Sequence, residues 1–293
     1  MKHVIKTLDE NKWARFLFYF WLYTLLVILW GAWVRISHSG DGCGDHWPLC
    51  EGSFIPSFQK TKTWIEYAHR LMSGTYGLIV IYIFLKIRKA PVSKMLKNLN
   101  VALLVLMISE ALLGAVLVKG KLVTVDDSFT RMTVMIFHQL NSFLLTGVTY
   151  LYYLSFKNNN FGKLTIHHKL FLFIFLILPI TGAIAALSTT LFPSISVLQG
   201  IMDDLSHTTH PFIRLRILHP LFSTLLVGSF ITWCFNKGHN RLAFEFMFAL
   251  IIGFVTLLTL SPVYLKLAHL LIAHVLWARL LQVLASFPDS NKR

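Results

Sequence analysis

Charge is scarce in this sequence. Only 14% of its 293 residues are Asp, Glu, Lys or Arg, and acids are the scarcer kind, 13 against 27 bases. Against that stand 55% hydrophobic residues, in apolar runs that recur along the whole length. Each run is about twenty residues, the length that spans a bilayer core as helix. Domain counting by length, as for a soluble protein, therefore does not apply. Cysteine is also rare, with only Cys43, Cys50 and Cys234, and no pair has the Cys-x-x-Cys spacing of a thioredoxin-like centre. No cleavable leader is expected either. Met1 to Arg15 is polar and basic, and no small-residue cleavage site follows the first apolar run, so a retained first helix is expected. The net charge of +14 would suggest nucleic acid in a soluble protein. In a membrane chain, basic residues gather in cytoplasmic loops and set topology, so no nucleic-acid partner is expected.

The sequence predicts an all-α polytopic membrane protein with eight spans: Phe16–Arg35, Trp64–Lys86, Leu99–Val118, Thr133–Phe156, Leu170–Thr189, Ile217–Phe235, Leu242–Leu260 and Leu265–Leu284. Lys2, Lys6, Lys12 and Arg15 precede the first span. Lys86, Arg88, Lys89, Lys94 and Lys97 fill the second loop, Lys157, Lys163 and Lys169 the fourth, and Lys237 and Arg241 the sixth; Lys292 and Arg293 close the chain. The odd-numbered loops hold Asp41, Asp45, Glu51, Asp126, Asp127, Asp203 and Asp204. This asymmetry places both termini in the cytoplasm.

A repeat runs through the spans. Gly31-Ala-Trp-Val-Arg-Ile-Ser37 and Gly182-Ala-Ile-Ala-Ala-Leu-Ser188 share Gly-Ala and the Gly-to-Ser spacing. Each is followed by a long outer loop and a helix with an early histidine, His69 or His219. Leu113-Gly114 before His138 and Ile252-Gly253 before His269 echo it. Four spans per half restore the orientation, so two parallel, pseudo-symmetric four-helix bundles are expected, 1–160 and 161–293.

Of the 13 histidines, five lie within spans. His69, His138, His219 and His269 fall on the second, fourth, sixth and eighth, all running from outside to inside, one or two turns after each start. A lone intramembrane histidine is usually a packing residue. Four at matched depth, two per repeat, point instead to axial ligation of heme iron in two bis-His sites toward the outer face. Zinc or copper would also accept imidazole, but carboxylates and thiolates at that depth are sparse. Because both pairs sit on the outer side, a simple transmembrane electron wire is disfavoured. His274 is turned off the face of His269 and reads as packing or as an alternative ligand.

Two further groups bear on chemistry. Cys43 and Cys50, with Gly and Pro between them on the oxidising side, read as a disulfide, either a staple or a redox pair. Glu66 precedes His69 by three residues, which puts both on one helix face, and an ionisable pair inside an apolar helix is a functional candidate by default. The structural alternative for Glu66 is an ion pair with Arg70 at i+4.

Gly40-x-x-Cys43, Trp47-Pro48-Leu49-Cys50 and Glu66-Tyr67-Ala68-His69-Arg70 together resemble the heme A synthase family, and the likeness extends over the whole chain. The resemblance implies oxidation of the C8 methyl of heme O to the formyl group of heme A, destined for cytochrome oxidase, in a bacterial plasma membrane. It implies that His69, His138 and Arg70 serve the substrate heme, that His219 and His269 ligate a heme b cofactor, that Glu66 is the essential carboxylate and that Cys43 and Cys50 form the loop disulfide. Heme O synthase and cytochrome oxidase assembly factors are the implied partners. The chain departs from the family at Glu110, where Gln is frequent, as a pocket group, a proton relay or, preferred, a protonated packing residue. It departs again at Leu218-His219-Pro220, where Arg214 or Arg216 would replace the arginine after the histidine as propionate partner. The Phe192-Pro193-Ser194 to Arg216 stretch has no assigned role. A quinol-oxidising membrane b-type cytochrome and a heme carrier or exporter are the rival functions.

Overall fold

A computed structural model describes residues 9–57, 60–157 and 166–286, apart from the side chains of His167 and Ser286. Lys2, Lys6, Lys163, Lys292 and Arg293, and the expected boundary after residue 160, lie outside the described residues. Among the described residues the fold is helical with no strand. The helices are α1 (Glu10–Ile36), α2 (Thr61–Arg88), α3 (Lys94–Lys119), α4 (Phe129–Lys157), α5 (Ile166–Phe175), α6 (Ile177–Leu191), α7 (Val197–Leu205), α8 (Pro211–Leu215), α9 (Leu218–Phe222), a π-helical turn Ser223–Val227, α10 (Gly228–Asn236), α11 (Asn240–Leu258) and α12 (Val263–Ser286).

Local chemistry sets several of these ends. Asp9 caps α1 by accepting from the Lys12 N–H at 3.1 Å, and Ser93 caps α3 from the Leu96 N–H at 3.3 Å. Such caps are worth about 1 kcal/mol each. Glu10 in the first turn and Arg35 in the last complement the dipole of α1.

Among the described residues, seven helical segments are long and apolar enough to cross a membrane: α1, α2, α3, His168–Leu191, Pro211–Asn236, α11 and Val263–Ala285. The expected fourth span lies on α4, whose 29 residues suffice in length but which is absent from that set. Its polar residues account for this. Asn141, Ser142, Thr146 and Thr149 interrupt the apolar run and are buried in protein. On α3 the opposite holds, where Val101, Val105, Ile108, Leu112 and Val116 form one exposed apolar stripe at helical spacing.

Two expected spans are broken, each for a proline. Pro179 has no N–H to offer the Phe175 carbonyl and its ring crowds that oxygen, so α5 stops at Phe175 and α6 begins after Leu176. Pro220 does the same to Arg216, whose carbonyl accepts from the His219 N–H at 3.2 Å instead. The helix then resumes through α9 and the π-helical turn.

The chain groups into two compact units. Unit 1 comprises Met1–Thr124, Asn141–Lys169 and Trp277–Arg293; unit 2 comprises Val125–Leu140 and Leu170–Leu276. The core of unit 1 gathers Leu17, Phe20, Tyr76, Val80, Ile83 and Leu103 with neighbours from α4. Phe20 and Tyr76 stack there at 4.9 Å. Unit 2 has an aromatic cluster of Phe171, Phe175, Phe230 and Phe246, with centroids 4.8–6.1 Å apart.

Candidate functional site

In unit 1 the loop after α1 folds down onto the opening turns of α2. A Cβ added at Gly42 would lie 2.5 Å from the Lys62 carbonyl group, so only glycine allows this approach. Thr63 donates to the Gly42 carbonyl at 2.7 Å. Cys43 and Cys50 are joined in a disulfide and are fully buried. The pairing expected from the sequence is present.

The loop grips Glu66. This carboxylate is 3% exposed. Its Oε2 accepts from the Cys43 N–H at 2.8 Å, while its Oε1 accepts from Arg70 Nε at 3.1 Å and Nη2 at 2.5 Å. Arg70 Nη1 donates to the carbonyls of His46 and Leu49, at 2.5 Å each. Both carboxylate oxygens are thus engaged, and the guanidinium ties α2 to both ends of the Trp47-Pro48 segment. The ion pair weighed as the alternative for Glu66 is the one observed. A carboxylate–arginine pair this buried is costly to break on one side, about 3–5 kcal/mol. An open cavity of about 620 Å³ borders Cys43, Asp45, His46 and Thr63, but neither Glu66 nor His69 lines it.

The four histidines each lie six to nine residues into their helical segment, roughly 9–13 Å along it, and all are half-buried. His69 belongs to unit 1; His138, His219 and His269 belong to unit 2. The glycines of the repeat turn out to be ring contacts. A Cβ on Gly31 would meet His69 Cε1 at 2.9 Å, one on Gly182 would meet His219 Cε1 at 3.2 Å, and one on Gly253 would meet His269 Cε1 at 3.1 Å. The fourth glycine, Gly114, has nothing within 4 Å of such a Cβ among the described residues.

In unit 2 the His219 and His269 ring centroids are 6.1 Å apart, at 74°. An iron held between two imidazole nitrogens at roughly 2 Å sets the centroids about 6 Å apart. The pair therefore fits a bis-His heme iron. Among the described residues no group of three or more His, Cys, Asp or Glu could hold a metal ion, so a carboxylate- or thiolate-rich centre has no ligands here. His274 is 1% exposed, with Nε2 3.5 Å from Gln139 Nε2, a packing environment.

The arginines expected to replace His-Arg behave differently. Arg216 Nε pairs with Asp204 at 2.5 Å, and its other nitrogens donate to the Phe192 carbonyl at 3.3 Å, the Ser194 hydroxyl at 2.9 Å and the Gly200 carbonyl at 3.2 Å. It is committed to the fifth loop. Burial pushes the Asp204 carboxyl above the usual carboxylate range, and Arg216 only partly offsets this. Arg214 Nε is buried and meets no acceptor among the described residues. Lys266 donates to the Thr189 carbonyl at 3.2 Å. Glu110 is half-buried and accepts from Asn141 at 2.6 Å, while the same amide donates to the Leu106 carbonyl at 2.8 Å.

Sequence reasoning missed the clamp by Arg216 and Asp204, twelve residues apart, and the cap of α7 by Ser196. The signal available was Ser196 followed three residues later by Gln199, a capping pattern.

A family model described as cytochrome oxidase assembly protein (COX15-CtaA) matches residues 14–281. A protoheme IX farnesyltransferase of Thermus thermophilus is 32% identical over 289 residues, covering 90% of this chain and 47% of the relative. The chain thus spans about half the length of that relative. A heme A synthase of Symbiobacterium thermophilum is 39% identical over 92 residues, 31% of this chain and 30% of the relative. A heme A synthase of Bacillus cereus is 40% identical over 92 residues, with the same coverage.

Proposed function

This chain belongs to the cytochrome oxidase assembly protein family COX15-CtaA, and we propose that it is a heme A synthase, oxidising the C8 methyl of heme O to the formyl group of heme A. It is an integral multi-pass membrane protein. The observation that carries the proposal is Glu66, a buried carboxylate held one turn before His69 by the Cys43 N–H and Arg70. An ionisable group inside an apolar helix is a functional candidate by default, and this one also clamps the loop through Arg70.

In this reading the N-terminal half works on substrate, served by His69 and His138, a pairing that rests on the resemblance. As the resemblance implies, the reaction would run as two successive hydroxylations. Each removes two electrons from the methyl carbon and adds one oxygen atom, from water with an external electron acceptor or from dioxygen with an external electron donor, after which the gem-diol loses water to give the aldehyde. Glu66 accepts a proton or stabilises positive charge as the methyl at the porphyrin edge is oxidised. Arg70 serves the substrate by fixing that carboxylate, in place of the propionate contact the resemblance implies. The disulfide keeps the Cys43 N–H aimed at Glu66. The C-terminal half holds a resident heme b, which supplies one-electron chemistry when bound. His219 and His269 ligate it, and Arg214, the arginine not committed to the fifth loop, takes a propionate.

The remaining expectations stand as parts of the same proposal. All eight segments cross the bilayer, α4 included, in two four-helix halves with both termini cytoplasmic and the heme sites toward the outer face of a bacterial plasma membrane. A relative about twice as long is named for farnesyl transfer to protoheme IX. That reaction type would supply the farnesylated substrate, which supports a heme O synthase as partner.

The test is expression of the full chain with a heme O source, followed by extraction and chromatography of the hemes. Heme A should form with the wild type and vanish in Glu66→Ala. Heme A at wild-type level in that variant removes Glu66 from the mechanism, and a heme b spectrum with no heme A at all favours a b-type cytochrome or heme carrier.

A further inference from the structure

The two imidazoles of the second half are held differently. Thr181, 3% exposed, donates its hydroxyl proton to the Ile177 carbonyl at 2.9 Å and so presents a lone pair to its surroundings. His219 Nδ1 lies 3.2 Å from that oxygen. An acceptor at Nδ1 places the ring proton there and leaves the Nε2 lone pair for a metal. His269 has no counterpart. Its Nδ1 is buried with no hydrogen-bond partner among the described residues, and its ring rests against Gly253. The residue before each glycine explains the difference, because Thr181 precedes Gly182 whereas Ile252 precedes Gly253. Trp30 and Leu113 occupy that position in the first half, so Thr181 is the one hydroxyl among the four.

We propose that Thr181 is a positioning residue for iron ligation, fixing the tautomer and orientation of His219, so that His219 is the anchored axial ligand and His269 the one that yields. The proposal rests on the heme b reading of the second half. An acceptor behind a ligating imidazole also raises its basicity, and losing such a partner typically lowers metal affinity about 10–100-fold.

Hemin is titrated into the detergent-solubilised full chain carrying His69→Ala, which breaks the first-half pair, and affinity, spin state and midpoint potential are read. Thr181→Val keeps the shape and removes the acceptor. It should weaken hemin binding about 10–100-fold and raise the potential, since a less basic imidazole favours ferric iron less. Thr181→Ser should restore both, which a purely structural role for the methyl would not allow. His269→Ala should retain a five-coordinate, high-spin heme, while His219→Ala should release it. Wild-type affinity and potential in Thr181→Val, or a serine variant as weak as the valine one, overturns the inference and leaves the heme b reading in place. Absence of any low-spin hemin complex in the His69→Ala parent overturns both.

Discussion

The first and fifth loops solve the same problem with the charges exchanged. Each is tied to the start of the next helical segment by a carboxylate–arginine pair whose guanidinium also gathers loop carbonyls. In the first, the carboxylate is on the helix, Glu66, three residues before His69, and the arginine follows at Arg70. In the fifth, the arginine takes the place three residues before the histidine, Arg216 before His219, and the carboxylate, Asp204, comes from α7 in the loop. The difference teaches what each histidine has beside it. His69 has a fixed acid within one turn, suited to moving a proton or meeting a developing cation, whereas His219 has Arg216, whose guanidinium is spent on Asp204 and the loop, so that in the proposed reading only Arg214 is left for a heme propionate.

Removing the arginines tests this most strongly. Arg70→Ala should destabilise the protein by about 3–5 kcal/mol, because it leaves the buried Glu66 carboxylate unpaired, and Arg216→Ala by less, because Asp204 is only half-buried; thermal unfolding in detergent reads both. Heme A formed per folded molecule should collapse only in Arg70→Ala. Equal losses of heme A in the two variants would mean that both clamps are merely structural.

A smaller separation is expected from the loop glycines. Gly42→Ala drives a Cβ into the Lys62 backbone, displaces the Cys43 N–H from Glu66 and should lower heme A yield on the order of 100-fold, as for a misplacement near 1 Å. Gly200→Ala meets the Ser194 hydroxyl at 3.0 Å, a side chain that can turn away, and should leave heme A formation near wild type. Quantifying hemes in membranes of equal protein content separates the two.

The smallest effect is on pH dependence. Burial raises the Asp204 pKa above its unfolded value, so the folded state holds that proton more tightly. Its stabilising contribution is fully present below the unfolded value of about 3.9 and is lost as pH rises through the raised one. Asp204→Asn should flatten this part of the profile of thermal midpoint against pH.

Much of the candidate site was legible because its partners are close in sequence or recur. The Glu66–Arg70 pair follows from i+4 spacing, and the repeat supplies the glycines and the histidines. That Gly31, Gly182 and Gly253 meet histidine rings while Gly114 does not was not legible, since the repeat carries the residues but not the packing around them. The helix breaks at Leu176 and Arg216 were hidden by strong hydropathy, although Pro179 and Pro220 announce them: an apolar run satisfies a span whether or not its backbone ladder is continuous. The Arg216 clamp was illegible because its partners, Phe192, Ser194, Gly200 and Asp204, come from a loop whose path no periodicity records.

The central claim is that the acid beside His69 does chemistry while the pair His219 and His269 holds a resident heme. It is tested most directly by purifying Glu66→Gln from cells supplying heme O, then recording its reduced-minus-oxidised spectrum and its extracted hemes. The account predicts an intact low-spin heme b spectrum, heme O retained and no heme A. Heme A at wild-type level in that variant would contradict it.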